Sequence, residues 1–264
     1  MYKVLIGKMK VVNSNPVEYY FSINDSWVSM NNFIGKKISF LWSGYVFCSC
    51  GKKMKKFYRQ NFCYDCFWNA PEASPSIFKP ELCQAHLGIE ERDLEWEKKF
   101  QLQPHVVYLS ISSGVKVGVT RKNSVETRWI DQGAVEGIVL AETPNRYLAG
   151  KIEVHLKKYL ADKTSWVKML KGDVNKVDLI KKKEEVINLI SDDFKSYIVK
   201  KNNSQKIIFP IEIHPEKIKS ISLDKQNIIE EKLVGIKGQY LIFDSDSVFN
   251  VRRHSGFLVN FSIN

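Results

Sequence analysis

Residues 48–66 read CSCGKKMKKFYRQNFCYDC, and this stretch divides the rest of the chain. Cys48-x-Cys50 is followed, after an insertion that begins at Gly51, by Cys63-x-x-Cys66, and Cys83-x-x-His86 comes later. Thiolate and imidazole are donors that zinc prefers, and two chelating pairs joined by a short hairpin let four ligands reach one tetrahedral ion. Cys48, Cys50, Cys63, Cys66, Cys83 and His86 are therefore candidates for four zinc positions. The first pair is one residue shorter than the usual knuckle, which leaves open whether Cys48 or Cys50 is a bystander replaced by Cys83 or His86. So many donors leave no open coordination position, so the expected metal is structural. Crowding of the cysteines into one stretch fits thiolates on a metal in a reducing compartment better than a disulfide framework.

Working outward, residues 1–47 read as an N-terminal β segment. VEYYFSI, SWVSM and KKISFLWSGYVF are strand-like, with Asn24-Asp25 and residues 31–35 supplying turns. Residues 48–100 read as a zinc-ribbon-like module and linker, in which NAPEASPSIFKPEL is loop and GIEERDLEWEKKF a short helix. Residues 101–200 read as an α/β unit. HVVYLSISSGVKVGVT forms a hairpin across Ser112-Ser113-Gly114. AGKIEVHLKKYLADKTSW then places Ile152, Leu156, Tyr159 and Leu160 at helical spacing, with Trp166 in the core, and VDLIKKKEEVINLISDDFKSYI predicts a second amphipathic helix with Val177, Ile180, Val186, Ile187 and Ile190 inward. Residues 201–264 return to strands over KIIFPIEI, KIKSISL, EEKLVGIKGQYLIFD, SVFNVRR and SGFLVNFSI, a β segment placed to pair with residues 1–47. The fold class is α+β, with N- and C-terminal strands around an inserted metal module and a central α/β unit.

Forty Lys+Arg against 29 Asp+Glu give a net charge of +11, which favours a polyanionic partner. Nucleic acid is the expected partner, DNA ahead of RNA, with compact lysine runs at 52, 53, 55, 56 and at 181–183. No apolar run is long enough to span a bilayer and the N-terminus lacks the pattern of a cleaved leader, so no membrane partner and a cytoplasmic location are expected.

The segment with Val106-Val107-Tyr108, Lys116-Val117-Gly118-Val119-Thr120, Arg128 and Glu153 resembles the GIY-YIG nuclease superfamily over residues 105–166. The resemblance implies a hairpin bearing the two motifs, an arginine on the next helix and a glutamate on a later one. It implies that Tyr108 positions or deprotonates the attacking water and that Gly118 allows close backbone approach. Arg128 would neutralise charge on the scissile phosphate, and Glu153 would hold Mg²⁺ or Mn²⁺. Lys116 stands where the second motif has its tyrosine. RWIDQGAVEG and TPNRYLAGKIE suit site-lining segments, which makes Arg121, Lys122, Trp129, Gln132, Asn145 and Arg146 candidates for nucleic-acid contact, the last two before a helix N-terminus. Over nearly its full length, PELCQAH, VKVGVT, TRWIDQGA, PNRYLAGKIE, DKTSW, LVGIKGQYLIF and NVRRHSG resemble a bacterial zinc-containing family of unknown function. The expected function is metal-dependent phosphodiester hydrolysis, with a non-catalytic DNA- or RNA-binding protein and a protein-interaction scaffold as alternatives.

Overall fold

The computed structural model describes residues 1–160 and 165–264. The N-terminal part holds β1 (Tyr2–Leu5), β2 (Lys10–Val12), β3 (Glu18–Ile23), β4 (Ser26–Ser29) and β5 (Lys37–Phe47). The cysteine segment follows with β6 (Lys53–Met54), α1 (Tyr64–Asn69), α2 (Pro75–Phe78) and α3 (Leu94–Gln101). The central unit contains β7 (His105–Ile111), β8 (Val115–Arg121), α4 (Val125–Asp131), β9 (Glu136–Thr143), α5 (Arg146–Leu156), α6 (Trp166–Lys171) and α7 (Leu179–Ile187). The chain ends with β10 (Ser204–Lys206), β11 (Lys219–Ile221), β12 (Ile228–Lys237), β13 (Tyr240–Phe243), β14 (Ser247–Asn250) and β15 (Phe257–Ile263).

The terminal segments share one sheet, in the order β1-β15-β5-β12-β13-β14-β11, with β6 on the far end of β5. Aromatic side chains of alternate strand positions interdigitate across it: the Phe40 ring lies 5.0 Å from that of Phe261 and 5.2 Å from that of Phe249. A small sheet β2-β3-β4 packs on this core through Tyr19, Phe21 and Ile23. Its tight β3–β4 turn uses Asn24 and Asp25 at φ 48° and 59°, the left-handed pair a two-residue hairpin requires.

The central sheet runs β10-β9-β7-β8. Every residue of β7 is buried, because both of its faces are covered. Val107 and Leu109 face α5 and α7 through Ile152, Leu156, Leu179 and Val186. Val106 and Tyr108 face the opposite way and join Trp129 and Ile130 of α4 in the core of the large sheet. The hairpin is thus clamped between two cores, which fixes side chains at its edge.

Four expectations change. The second predicted helix stops at Ile187 and is followed by a separate 3-10 turn over Asp192–Tyr197, where Ser191, Asp192 and Asp193 compete for backbone hydrogen bonds. Tyr159 lies beyond the end of α5 and is exposed. Trp166 is 40% exposed and stacked on Tyr240, so it covers the surface and is not core. Residues 207–213 form no strand beyond one bridge from Ile211 to Gly235; Pro210 has no N–H to give a ladder. Instead β10 adds to the central sheet through β9. The part of the first predicted helix over 161–164 lies outside the described residues. Among the described residues, no helix is long and apolar enough to cross a membrane.

Candidate metal centre and catalytic pocket

The ligand atoms of Cys48, Cys50, Cys63 and Cys66 all lie within 4.8 Å of one another. A tetrahedron of Zn–S bonds near 2.3 Å has sulfur edges of about 3.8 Å, and the Cys50 and Cys63 sulfurs are 3.9 Å apart. The donor set is therefore the right size and softness for zinc. Local chain geometry builds it: Gly51 turns at φ 86°, and Cys63 caps α1 with its sulfur accepting from the Cys66 N–H at 3.4 Å. The Cys48 sulfur accepts from the Cys63 N–H at 3.3 Å. Burial pushes the Cys48 thiol up, but N–H donors from Cys50 and Cys63 outweigh it and bring it down to about 6. Burial and hydrogen bonding to the neighbouring sulfurs push Cys66 the other way, the response of crowded thiols whose charge calls for a cation.

Cys48 and Cys50 both belong to the cluster, so neither is the bystander. Cys83 and His86 are elsewhere. Cys83 is buried with its sulfur 4.0 Å from the Ser76 carbonyl, and burial raises it to about 11. His86 stacks on the Tyr147 ring at 4.3 Å. Both residues anchor the linker to α5.

A second constellation sits at the edge of the hairpin. Tyr108, Lys116, Gly118, Arg128, Gln132, Arg146 and Glu153 line one pocket of about 110 Å³. β7 and β8 pair Tyr108 with Gly118, and a Cβ on Gly118 would lie 2.5 Å from the Tyr108 Oη. Glycine is needed there so that the tyrosine ring can fold over its neighbour strand. The Tyr108 hydroxyl donates to Gln132 Oε1 at 3.0 Å, and burial raises its pKa against the opposing charge of Arg128. Burial, reinforced by Arg128, lowers Lys116 to about 8. Glu153 has its carboxyl raised by burial, partly offset by Lys157 at 3.5 Å. A buried carboxylate facing an open pocket is a suitable oxygen ligand for Mg²⁺ or Mn²⁺.

Ile77, Phe78 and Pro80 form the roof of this pocket. The linker is held there because Gly150 of α5 leaves room for it; a Cβ at that position would lie 2.3 Å from the Glu81 nitrogen. Arg146, itself buried, donates to the Ile77 carbonyl at 2.7 Å. The pocket opens past Ile77, Phe78, Arg128 and Arg146 into a cleft of about 390 Å³ that adds Lys8, Arg121 and Arg252.

A family model described as "Protein of unknown function (DUF2797)" matches residues 35–259, a span that contains both the cysteine cluster and every residue of the inner pocket. The chain belongs to this family. No curated protein and no solved structure matches it.

In this DUF2797 chain the residues expected to touch nucleic acid divide into two groups. Arg121 lines the cleft, with its guanidinium 5.3 Å from the Phe100 ring, and Gln132 and Arg146 line the pocket. Lys122 is exposed beside them and ion-paired to Glu142 at 2.7 Å. Trp129 is only 3% exposed, packed edge-on to Tyr108 and against Gly137, so it is a core residue and contacts no ligand. Asn145 caps α5, accepting from the Leu148 N–H at 3.0 Å. Lys8, Arg252 and the Ile77–Phe78 roof were not legible as site residues, because they come from distant parts of the chain and carry no motif. Glu81 also escaped notice: its Oε2 is buried with no hydrogen-bond partner among the described residues, and its charge acts on Glu153.

Proposed function

We propose that this protein is a zinc-containing, GIY-YIG-like enzyme that hydrolyses phosphodiester bonds of nucleic acid with a divalent metal. The observation that carries the reading is the convergence of Tyr108, Lys116, Gly118, Arg128 and Glu153 on one pocket that opens into a cation-lined cleft. The order of elements, a hairpin followed by an arginine-bearing helix and then a glutamate-bearing helix, agrees with the resemblance seen in the sequence.

In this reading the backbone lies in the outer cleft, where Lys8, Arg121 and Arg252 replace its counterions. Arg128 and Arg146 face the scissile phosphate and offset the charge that develops on it. Glu153 would hold Mg²⁺ or Mn²⁺, which supplies Lewis-acid polarisation of the phosphoryl group when bound. Tyr108 keeps its proton, because burial raises it, and so it positions the water and does not deprotonate it. Lys116 is the better proton acceptor: with a pKa of about 8 a usable fraction of it is a neutral amine near physiological pH. The cysteine cluster is structural, since four thiolates close a zinc shell.

Incubating the full chain with plasmid DNA, single-stranded DNA and RNA in Mg²⁺ or Mn²⁺, beside Glu153→Ala, tests this. Cleavage lost in Glu153→Ala is expected. Equal cleavage by both proteins removes the assignment, and salt-dependent binding with no cleavage leaves a nucleic-acid-binding protein.

A further inference from the structure

Beside the cysteine cluster lies a cavity of about 230 Å³ walled by Trp42, Phe57 and Phe257 and rimmed by Lys55, Lys56 and Arg253. Its wall is preformed. The Trp42 and Phe257 rings are 5.3 Å apart and those of Phe57 and Phe257 are 6.1 Å apart. Phe57 is seated by Gly256, which combines φ +90° with a Cβ direction that would meet the Phe57 ring at 2.6 Å and the Phe47 carbonyl at 2.5 Å. Only glycine satisfies both conditions, so the ring is fixed at the corner where the chain enters β15.

The volume falls below the roughly 300–1,000 Å³ of sites for drug-sized ligands, a size suited to one planar ring. The Asp224 carboxylate, 3.4 Å from the Arg253 guanidinium, adds hydrogen-bond acceptors at the rim. An aromatic wall bordered by three cations has the makeup of a base-stacking site with flanking phosphate contacts. Its position relative to the catalytic cleft is equally informative: Arg253 lines this cavity, and its neighbour Arg252 lines the cleft. Asn61, from the cysteine-bearing loop, donates toward the carbonyls of both arginines at 3.5 and 3.4 Å.

We infer that this cavity binds the base of an unpaired nucleotide, stacked on Trp42 and Phe57, with Lys55, Lys56 and Arg253 holding the adjoining phosphates and Arg252 leading the strand into the cleft. A base inside a duplex has both faces covered and must leave the stack to reach the wall, which costs unstacking energy; single-stranded or flapped nucleic acid enters without that cost. Binding here is independent of chemistry at Glu153, and only the consequence for which substrate is cut rests on the hydrolytic reading.

The test is fluorescence titration of the full-length zinc-loaded protein with a single-stranded oligonucleotide carrying 2-aminopurine and with its duplex, in buffer without added Mg²⁺ or Mn²⁺. Quenching of the single strand, tighter binding of it than of the duplex, and a roughly 5- to 100-fold loss of affinity in Phe57→Ala with quenching abolished are expected. The exposed Lys55→Gln/Lys56→Gln pair, which leaves the aromatic wall intact, is expected to lower the salt slope of binding by about two. Equal affinity for duplex and single strand overturns the proposal, as does full quenching by folded Phe57→Ala. Should Phe57→Ala fail to fold, an unchanged salt slope in the lysine pair overturns it equally. Selective single-strand quenching by a protein that cleaves nothing leaves this site standing and sinks only the hydrolytic reading.

Discussion

Replacing Lys116 by methionine separates function from stability at the centre of the pocket. Lys116 is 9% exposed, and burial with Arg128 nearby lowers its pKa from 10.5 to about 8. At ~1.4 kcal/mol per pH unit, this corresponds to about 3 kcal/mol of unfavourable free energy for keeping a protonated amine in the fold. The sign follows from proton counting. Between pH 8 and 10.5 the unfolded chain binds more protons at this position than the native one, so native stability rises with pH in that window, and the full penalty applies below it. Methionine has similar length and no charge to desolvate. Lys116→Met is therefore expected to be more stable than the parent by ~2–3 kcal/mol near pH 7, with the advantage falling below about 1 kcal/mol near pH 10. It is also expected to be inactive, because the proton acceptor is gone. Urea unfolding of both proteins at the two pH values gives the difference directly, and taking the difference cancels the other titrating groups. A variant that is less stable than the parent near pH 7, or whose advantage does not shrink at high pH, would refute the reasoning.

Zinc analysis of cysteine variants separates cluster from bystander: one zinc per chain is expected in the parent and in Cys83→Ser, whereas Cys66→Ser loses it and melts at lower temperature. Zinc lost from folded Cys83→Ser would contradict the cluster. Gly118→Ala drives a methyl against Tyr108 across the hairpin, 2.5 Å from its Oη, with both residues buried. A cost of ~1–3 kcal/mol is expected in urea unfolding, typical of overpacking, and a loss of only a few tenths would mean that the ring moves freely.

The hairpin was legible because its apolar alternation and its Ser112-Ser113-Gly114 turn are local features, and the zinc cluster because soft donors at short spacing have few other uses. The joining of terminal strands into one sheet followed from their shared β character. Side-chain direction was less accessible. Trp129 and Arg128 are adjacent in α4, yet the turn of the helix sends the tryptophan into the core behind Tyr108 while Arg128 lines the pocket. Asn145 suits a phosphate contact and a helix cap equally well by composition, and the cap prevailed because the first N–H groups of α5 need an acceptor. Cys83 and His86 match ligand spacing, but Gly150 draws their segment onto α5 and away from the cluster. The outer cleft collects Lys8 and Arg252 from opposite ends of the chain, and no local pattern can announce a contact made by folding.

The central claim is that the pocket around Glu153 hydrolyses nucleic acid, and the most direct measurement is single-turnover cleavage of an end-labelled oligonucleotide in Mn²⁺ by the parent and by Glu153→Gln across the pH range. The account predicts a parent rate that climbs with pH through about 8, as Lys116 loses its proton, and a loss of at least roughly a hundredfold in folded, zinc-loaded Glu153→Gln. Equal rates in the two proteins, or a parent rate that falls as pH rises through that value, would contradict it.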